Sequence, residues 1–217
     1  MMKQMSIVGI ISLVVLIFGC IETTGKLQQT LDGGVIGGQA QSLPAMDYSQ
    51  YGKPGIAAKI LLLIPYEFES FLFTSRYQEM TIQHQLGFEA EHELRTAFGI
   101  EFADVQVRPV ASEATASDML LPRNTGDTLF KQFDFVAIPK FLKVDSSVEN
   151  GYYLFSIDLS VAFTGPDGST LTITGHGESR TGQYIVTTPE KCATHTLQLA
   201  VSAILDRIEK RRSFFQP

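Results

Sequence analysis

The sequence has four histidines, the side chains best suited to metal or acid–base chemistry. His84 and His92 fall in one predicted helix, where a spacing of eight residues separates them by ~12 Å along the axis. One metal ion cannot reach both, and Glu91-His92-Glu93 lacks the second histidine of a zinc-protease motif. We predict that His84 and His92 lie on a solvated helix face. His195, early in a later predicted helix, has no evident partner, so the histidines predict no metal site.

Residues 175–179, with the sequence Gly-His-Gly-Glu-Ser, suggest a serine hydrolase. A nucleophile elbow needs glycine two residues before and two residues after the serine, at a turn from strand to helix. Gly177 meets the first requirement, but Thr181 stands where the second glycine is needed, and the segment continues a predicted strand. Glycines inside a strand more often mark a bulge or a close backbone contact. We therefore predict a structural role for this segment.

Two pairs of carboxylates are spaced closely enough to act together. Glu67 and Glu69 flank an aromatic residue, and Glu101 and Asp104 bracket a predicted turn. Paired carboxylates hydrolyse glycosides, and sequence spacing alone does not exclude that chemistry. Both pairs also fit solvated faces, which is the prediction we adopt. The sequence therefore predicts no catalytic residue, no metal and no cofactor.

Cys20 is the residue whose chemistry its surroundings define best. Residues 1–19 combine one positive charge, at Lys3, with an apolar run over 7–18, the pattern of a secretion signal. That run is shorter than the about 20 apolar residues that a membrane span needs. The Gly19-Cys20 ending resembles the lipobox of bacterial lipoproteins, which implies cleavage before Cys20 and acylation of its thiol and its new amino group. An ordinary secretory peptide and an N-terminal anchor helix are the alternatives.

Cleavage before Cys20 leaves 198 residues with 16 basic and 23 acidic side chains, a formal charge of −7. Such an acidic chain argues against binding to nucleic acid and against adhesion to anionic lipid by charge. Two or three acyl chains would instead hold the protein on a membrane. Cys192 is the one other cysteine, so an acylated Cys20 leaves no intrachain disulfide. We predict that Cys192 packs near a helix start, with an intermolecular crosslink as the alternative.

The chain after the signal divides into a tether and one domain. Residues 20–57 are rich in glycine and show no sustained periodicity, which indicates a flexible tether. Residues 58–217 have the patterns of a single globular domain. Its first half is predicted to contain a strand at Ile60–Pro65 that is buried on both faces, a helix at 77–98 that ends at Gly99, a strand at 105–110 and one short helix within 111–128.

The second half is predicted to contain three strands and a helix. A strand over 133–144 precedes Tyr153–Phe163, where apolar and polar residues alternate, and a turn then leads into a hairpin partner from residue 171. The last helix covers 187–208, with Thr187 and Glu190 as a capping box. Because both long helices carry one apolar stripe, the expected fold class is α+β. We predict a mainly antiparallel sheet of about five strands with two helices on one face.

Two clusters of aromatic residues are candidate partner contacts. One follows the first strand and the other lies at the C-terminal end, beyond the last helix. Either cluster can fold back as an edge of the core, or form an exposed apolar surface that contacts a partner or the membrane. The candidate residues are Tyr66, Phe68, Phe71, Phe73, Phe214 and Phe215.

The order of elements resembles that of small bacterial envelope lipoproteins. These include the TolB amino-terminal-like domains, the lipoproteins that activate penicillin-binding proteins and the auxiliary lipoproteins of lipid-transporting ABC systems. The likeness rests on Ile60–Pro65, the Tyr153–Phe163 hairpin and the closing helix Thr187–Ile208, as a pattern and without a shared residue motif. It implies a non-enzymatic part of an envelope machine that binds proteins or a glycan, often as an oligomer.

Two functions from different classes follow. The first is a scaffold or accessory protein of a cell-envelope assembly or transport complex, which acts by binding. Ile21, rather than Asp, follows Cys20, which implies an outer-membrane anchor facing the periplasm, or the outer face of the cytoplasmic membrane where no outer membrane exists. The alternative is a lipid-anchored hydrolase or a carrier of small apolar ligands, whose signature would be a deep pocket near His176 and Glu178.

Overall fold

The computed structural model describes residues 35–36, 55–121, 126–182 and 188–216. The strands are β1 (Val35–Ile36), β2 (Ile56–Pro65), β3 (Phe73–Tyr77), β4 (Met80–His84), β5 (Phe102–Val110), β6 (Phe135–Glu149), β7 (Tyr152–Thr164) and β8 (Thr170–Arg180). The α-helices are α1 (Tyr66–Glu69), α2 (Leu86–Glu101), α3 (Glu113–Met119), α4 (Gly126–Leu129) and α5 (Pro189–Lys210), and a 3-10 helix follows at Arg212–Phe215. The predicted signal peptide and nearly all of the predicted tether lie outside these residues.

A five-stranded sheet with the order β5-β2-β6-β7-β8 organises the fold. β2 pairs parallel with both β5 and β6, whereas β6, β7 and β8 are antiparallel neighbours. The fold is α+β with a five-stranded sheet, as predicted, and the sheet is mixed: the antiparallel pairs β6–β7 and β7–β8 fit the prediction, whereas the parallel pairs of β2 were not predicted. A smaller sheet holds the antiparallel pair β3–β4, and the two residues of β1 pair parallel with β4.

The central strand β2 is buried on both faces, as its continuous apolar run predicted. Ile60, Leu62 and Ile64 lie in the main core beneath α2 and α5. Leu61 and Leu63 point to the opposite face, where residues of α3 and α4 cover them in a smaller second core. The two long helices therefore lie on one face, as predicted, and two short helices cover part of the other.

The hairpin β3–β4 replaces the first part of the predicted helix at 77–98. Ser75 pairs with Ile82 in an antiparallel register, and α2 begins only at Leu86. The helical pattern at 77–84 misled because Ile82 lies four residues before Leu86, a spacing that also fits a helix stripe. At the other end, α2 runs past Gly99 to Glu101, so the predicted stop was two residues early.

The antiparallel pair β7–β8 confirms the hairpin that the alternation of apolar and polar residues predicted. Its odd-numbered β7 residues from Tyr153 to Phe163 are buried in the main core. The turn between the strands contains Gly168 with φ of 78°, a left-handed conformation that favours glycine. Thr164 pairs with Thr170 and the register continues to Leu154 and Arg180 without a shift.

Helix α5 covers β7 and β8 at unusually short range. Thr188 caps it by accepting a hydrogen bond from the Lys191 backbone N–H at 3.3 Å, whereas the predicted cap, Thr187, lies outside the described residues. A Cβ on Gly175 would overlap the carbonyl oxygen of Ala200. A Cβ on Gly177 would in the same way overlap the Thr196 carbonyl, so glycine lets the helix backbone rest on the strand.

The C-terminal 3-10 helix closes the core where β2 begins. The ring of Phe215 lies 5.0–5.3 Å from those of Phe102, Phe135 and Phe163, measured between centroids. Its neighbour Phe214 lies 5.4 Å from Phe135 and is half-buried. This C-terminal aromatic pair is therefore an edge of the core.

Substitution of Gly177 by alanine tests the close contact between strand and helix. We expect Gly177→Ala to lower the free energy of unfolding by about 1–3 kcal/mol, because the new methyl group forces the helix off the sheet. Gly99→Ala is the matched control, since Gly99 lies inside α2 with no atom near its missing Cβ. It should raise stability by up to about 1 kcal/mol through helix propensity. Urea unfolding measures the free energy of unfolding of both variants. Equal changes in the two variants would contradict a close contact between Gly177 and the helix.

Candidate partner-binding surface

An aromatic stack lies beyond the carboxyl end of β2, which we call the apical end. β6 continues past the end of its pairing with β2, and this extension carries Phe141 over α1. The ring of Phe141 stacks on Phe68 at 4.8 Å and on Phe71 at 4.7 Å between centroids. Offset stacking of this kind adds to the free energy of area burial, so the stack fixes α1 and the following loop in place.

Four large apolar side chains in the segments that form or adjoin this stack are exposed, and we call them the apical patch. Their exposed fractions are 64% for Tyr66, 56% for Leu72, 66% for Phe88 and 55% for Leu142. Leu72 and Leu142 directly follow stack residues, and Leu142 lies where the register between β6 and β7 shifts. Phe88 is held nearby because the N–H of Gly87 donates to the carbonyl of Phe71 at 3.1 Å.

A cleft of about 170 Å³ opens beside the stack, between α1 and β6. Phe68, Phe71 and Phe141 form its apolar wall. At its rim Lys140 donates to both carboxylate oxygens of Glu113 at 2.9 Å. An apolar wall with a charged rim suits one inserted apolar side chain and its polar neighbours.

The structure places the six candidate aromatic residues differently. Phe68 and Phe215 are buried, and Tyr66 is exposed. Phe71, Phe73 and Phe214 are half-buried and pack against the main core. Contact with a partner stays a prediction for all six, and Tyr66 is the one whose ring is free to make it. Leu72 lies within the aromatic segment that the sequence indicated but is not one of the six candidates, and sequence patterns did not indicate Phe88 or Leu142.

His84 was predicted on a solvated helix face, and this was wrong: it lies buried at the end of β4. Its Nε2 lies 3.0 Å from the hydroxyl of Ser75 and 3.1 Å from that of Tyr153. The Tyr153 hydroxyl donates to the Ser75 hydroxyl at 2.7 Å. This closed triangle satisfies all three groups and fastens the β3–β4 hairpin to β7. His92 is exposed on α2, as predicted.

Burial keeps both titratable groups of the triangle uncharged. Desolvation lowers the pKa of His84 to about 4, despite the opposing effect of Glu190. Desolvation likewise raises the pKa of Tyr153 to about 12. A neutral imidazole that is hydrogen-bonded to two buried hydroxyl groups is a structural polar cluster.

His176 and Ser179 lie on opposite faces of β8 because their positions differ by three residues. Ser179 is buried against α5, where its hydroxyl donates to the Cys192 carbonyl at 2.9 Å. His176 lies on the open face of the sheet, with Nδ1 2.8 Å from a carboxylate oxygen of Asp158. The two side chains therefore cannot act as a catalytic pair. Glu178 lines an open cleft of about 390 Å³ on the same face.

The two carboxylate pairs differ in burial. Glu67 and Glu69 are exposed, as expected for solvated residues, and so is Asp104. Glu101 is buried, contrary to the prediction, and its Oε1 lies 3.6 Å from a guanidinium nitrogen of Arg212. Burial, followed by the charge of Glu209, raises the pKa of Glu101. This ion pair holds the C-terminal 3-10 helix to the end of α2.

Cys192 is buried in the first turn of α5 and packs in the main core, as predicted. Its sulfur lies 3.1 Å from the Ser179 hydroxyl, and burial raises the pKa of the thiol. A protonated, buried thiol is a weak nucleophile. The intermolecular crosslink considered from the sequence is incompatible with this position.

Among the described residues, no group of three or more His, Cys, Asp and Glu side chains is placed to hold a metal ion. No helix in the same part of the chain is both long and apolar enough to cross a membrane.

Comparison with known proteins gives likeness of fold alone. No family model matches the chain, and no curated protein matches it. Protein XCC0632 of Xanthomonas campestris, described with family DUF330, is 12% identical, with TM-score 0.47 and coverage of 75% of this chain and 88% of that one. Lipoprotein GNA1162 of Neisseria meningitidis is 10% identical, with TM-score 0.34 and coverage of 70% and 99%. A minor lipoprotein of Acinetobacter baumannii is 12% identical, with TM-score 0.33 and coverage of 73% and 93%.

Two of these three structures are of lipoproteins. None of the three is a TolB amino-terminal-like domain, so that part of the resemblance stays a prediction. At these identities and TM-scores the likeness carries no functional assignment.

The buried histidine predicts a stability that falls in acid. Unfolding restores the pKa of His84 from about 4 to its ordinary value of 6.5, so between these values the unfolded chain binds the extra proton. Stability is therefore lost as the pH falls from about 6.5 to about 4, by up to about 3 kcal/mol from this residue.

Urea unfolding at pH 7 and pH 4.5 measures this loss. In His84→Gln the difference between the two pH values should shrink, whereas His92→Gln, on the exposed face of α2, should leave it intact. An unchanged difference in His84→Gln would show that the histidine is not buried uncharged.

Proposed function

We propose that this protein is a lipid-anchored accessory protein of a cell-envelope complex, which acts by binding through its apical patch. The exposed side chains of Tyr66, Leu72, Phe88 and Leu142 carry the proposal. Large apolar side chains exposed together on a folded protein are typical of interaction sites. The rigid stack beneath them lowers the entropy cost of binding, because the supporting backbone is already ordered.

Anchoring by acylated Cys20 is the second part of the proposal. The apolar segment before Gly19-Cys20 supports it, as does the acidic charge of the remaining chain, which gives no electrostatic route to a membrane. The expected location is the outer membrane, facing the periplasm, or the outer face of the cytoplasmic membrane where no outer membrane exists. The expected partner is a protein of the envelope assembly or transport complex.

A non-enzymatic role is also part of the proposal. In the described residues the buried polar cluster of Ser75, His84 and Tyr153 is internally satisfied. Ser179 faces the core and His176 faces solvent, so these two described residues do not supply the hydrolase alternative with a nucleophile and its base. We therefore expect His176→Ala to leave function unchanged.

Loss of the apical patch should abolish partner recovery. The variant Tyr66→Ser, Leu72→Ser, Phe88→Ser removes three side chains that would each contribute about 2 kcal/mol as central interface residues. Crosslinking in intact cells followed by affinity purification of the full-length chain should recover the partner with the wild type and not with this variant.

The matched control is Val148→Ser, Tyr152→Ser, which removes two apolar side chains that are each 46% exposed at the β6–β7 turn. It should retain the partner, and all variants should stay in the membrane fraction through Cys20. Recovery of only the monomer from wild-type cells, or full partner recovery with the triple variant, would disprove the proposed surface.

A further inference from the structure

The cleft beside the aromatic stack has the size of one large side chain. Its volume is about 170 Å³, and an apolar cavity of about 150 Å³ can hold a benzene ring. Phe68, Phe71 and Phe141 line the cleft, and the first two rings stack on the third. Pro65 and Pro139 complete its apolar lining. A single phenyl or leucine side chain therefore fits against a wall that is already in place.

Three charged side chains also line this cleft, and two of them neutralise each other. Lys140 donates to both carboxylate oxygens of Glu113 at 2.9 Å. The third is Glu67, which is exposed and forms no ion pair with any residue that the structure describes. The cleft therefore carries one uncompensated negative charge beside its apolar wall.

Further carboxylates without a described ion-pair partner lie close to the apical patch. Glu69 is exposed at the end of α1, and Glu91 is half-buried one turn after Phe88 on α2. Lys143, on the β6 extension, is paired with Asp145 at 2.6 Å. The unpaired charges at these positions are therefore negative, which disfavours an anionic lipid surface and favours a cationic partner.

We propose that the cleft binds a protein segment in which a large apolar side chain, preferably aromatic, lies next to a lysine or arginine. The apolar side chain enters against Phe68, Phe71 and Phe141, and the cation pairs with Glu67. Burial of the apolar side chain supplies most of the affinity, and the charge pair selects a basic segment. This inference rests on the proposed binding through the apical patch and names the chemistry of the partner.

The two features of the segment must lie close together in its sequence. Glu67 and Phe68 are neighbours in α1, and both line the cleft. A side chain that fills the cleft therefore leaves the next residue of the segment beside the carboxylate. The ion pair lies at an exposed rim, so salt should weaken the selection of a basic segment more than it weakens the apolar contact.

Peptides of defined sequence test this chemistry on the full-length chain in micelles of a neutral detergent. Acetyl-Phe-Arg-amide, acetyl-Phe-Glu-amide and acetyl-Ala-Arg-amide are titrated while NMR follows the resonances of Phe68, Phe71 and Phe141. We expect the Phe-Arg peptide to shift these resonances with a dissociation constant about fivefold or more below that of the Phe-Glu peptide, through the exposed ion pair. The Ala-Arg peptide should bind about tenfold more weakly, because it lacks the apolar side chain.

Reversal of the charge at Glu67 supplies the sharpest comparison. Glu67→Lys should invert the preference, so that the Phe-Glu peptide binds more tightly than the Phe-Arg peptide. Glu149→Lys is the matched control, because Glu149 is exposed at the β6–β7 turn, roughly 26 Å along β6 from Phe141. It should leave the preference for the Phe-Arg peptide unchanged. Circular dichroism confirms that each variant is folded.

The proposal is overturned if the Phe-Arg peptide leaves the cleft resonances unshifted, if the basic and acidic peptides bind equally, or if folded Glu67→Lys keeps the original preference. Shifts of the same resonances that grow with protein concentration in the absence of peptide would identify a second copy as the occupant and would also overturn it. Each of these results can occur while the triple serine variant still loses its partner in cells, so this inference and the proposed function fail separately.

Discussion

The contact between helix α5 and strand β8 is the constraint on which the rest of the structure depends. Gly175 and Gly177 let the helix backbone rest on the strand. Because side chains alternate along a strand, Ser179 then points to the same face of the sheet as the two glycines and His176 points to the opposite face. Ser179 and Cys192 become part of the buried interface, while His176 is left on the open face. A sequence that resembles a catalytic motif is thus explained by packing alone.

The fold was predictable wherever one element buries one regular face. The alternation in β7 and the stripe of α5 each determine a unique orientation, because a shift by one residue would expose the core. The hairpin β3–β4 was not predictable, since its turn at Gln78 and Glu79 lacks the usual glycine or Asn-Gly signal and Gln78 itself adopts φ of 56°. The mixed sheet was missed because strand partners depend on tertiary contacts rather than on local pattern.

The candidate surface was predictable only in outline. The crowding of aromatic residues after β2 indicated the right end of the domain, but not which rings face solvent. Phe68 and Phe71 are covered because Phe141 reaches them from β6, a contact between residues about seventy positions apart that no local pattern encodes. Phe88 is exposed because it lies off the buried stripe of α2. Every amphipathic helix has exposed positions beside its buried stripe, so this position alone did not distinguish Phe88 as a surface contact.

Residue-specific photocrosslinking in intact cells tests most directly whether the apical patch binds the partner. A photoreactive phenylalanine analogue would replace Phe88 in the patch and, in a separate chain, Tyr152, an exposed aromatic residue at the β6–β7 turn. We predict a protein adduct larger than the chain itself from position 88 and none from position 152. Equal adducts from both positions, or adducts from position 152 alone, would contradict it.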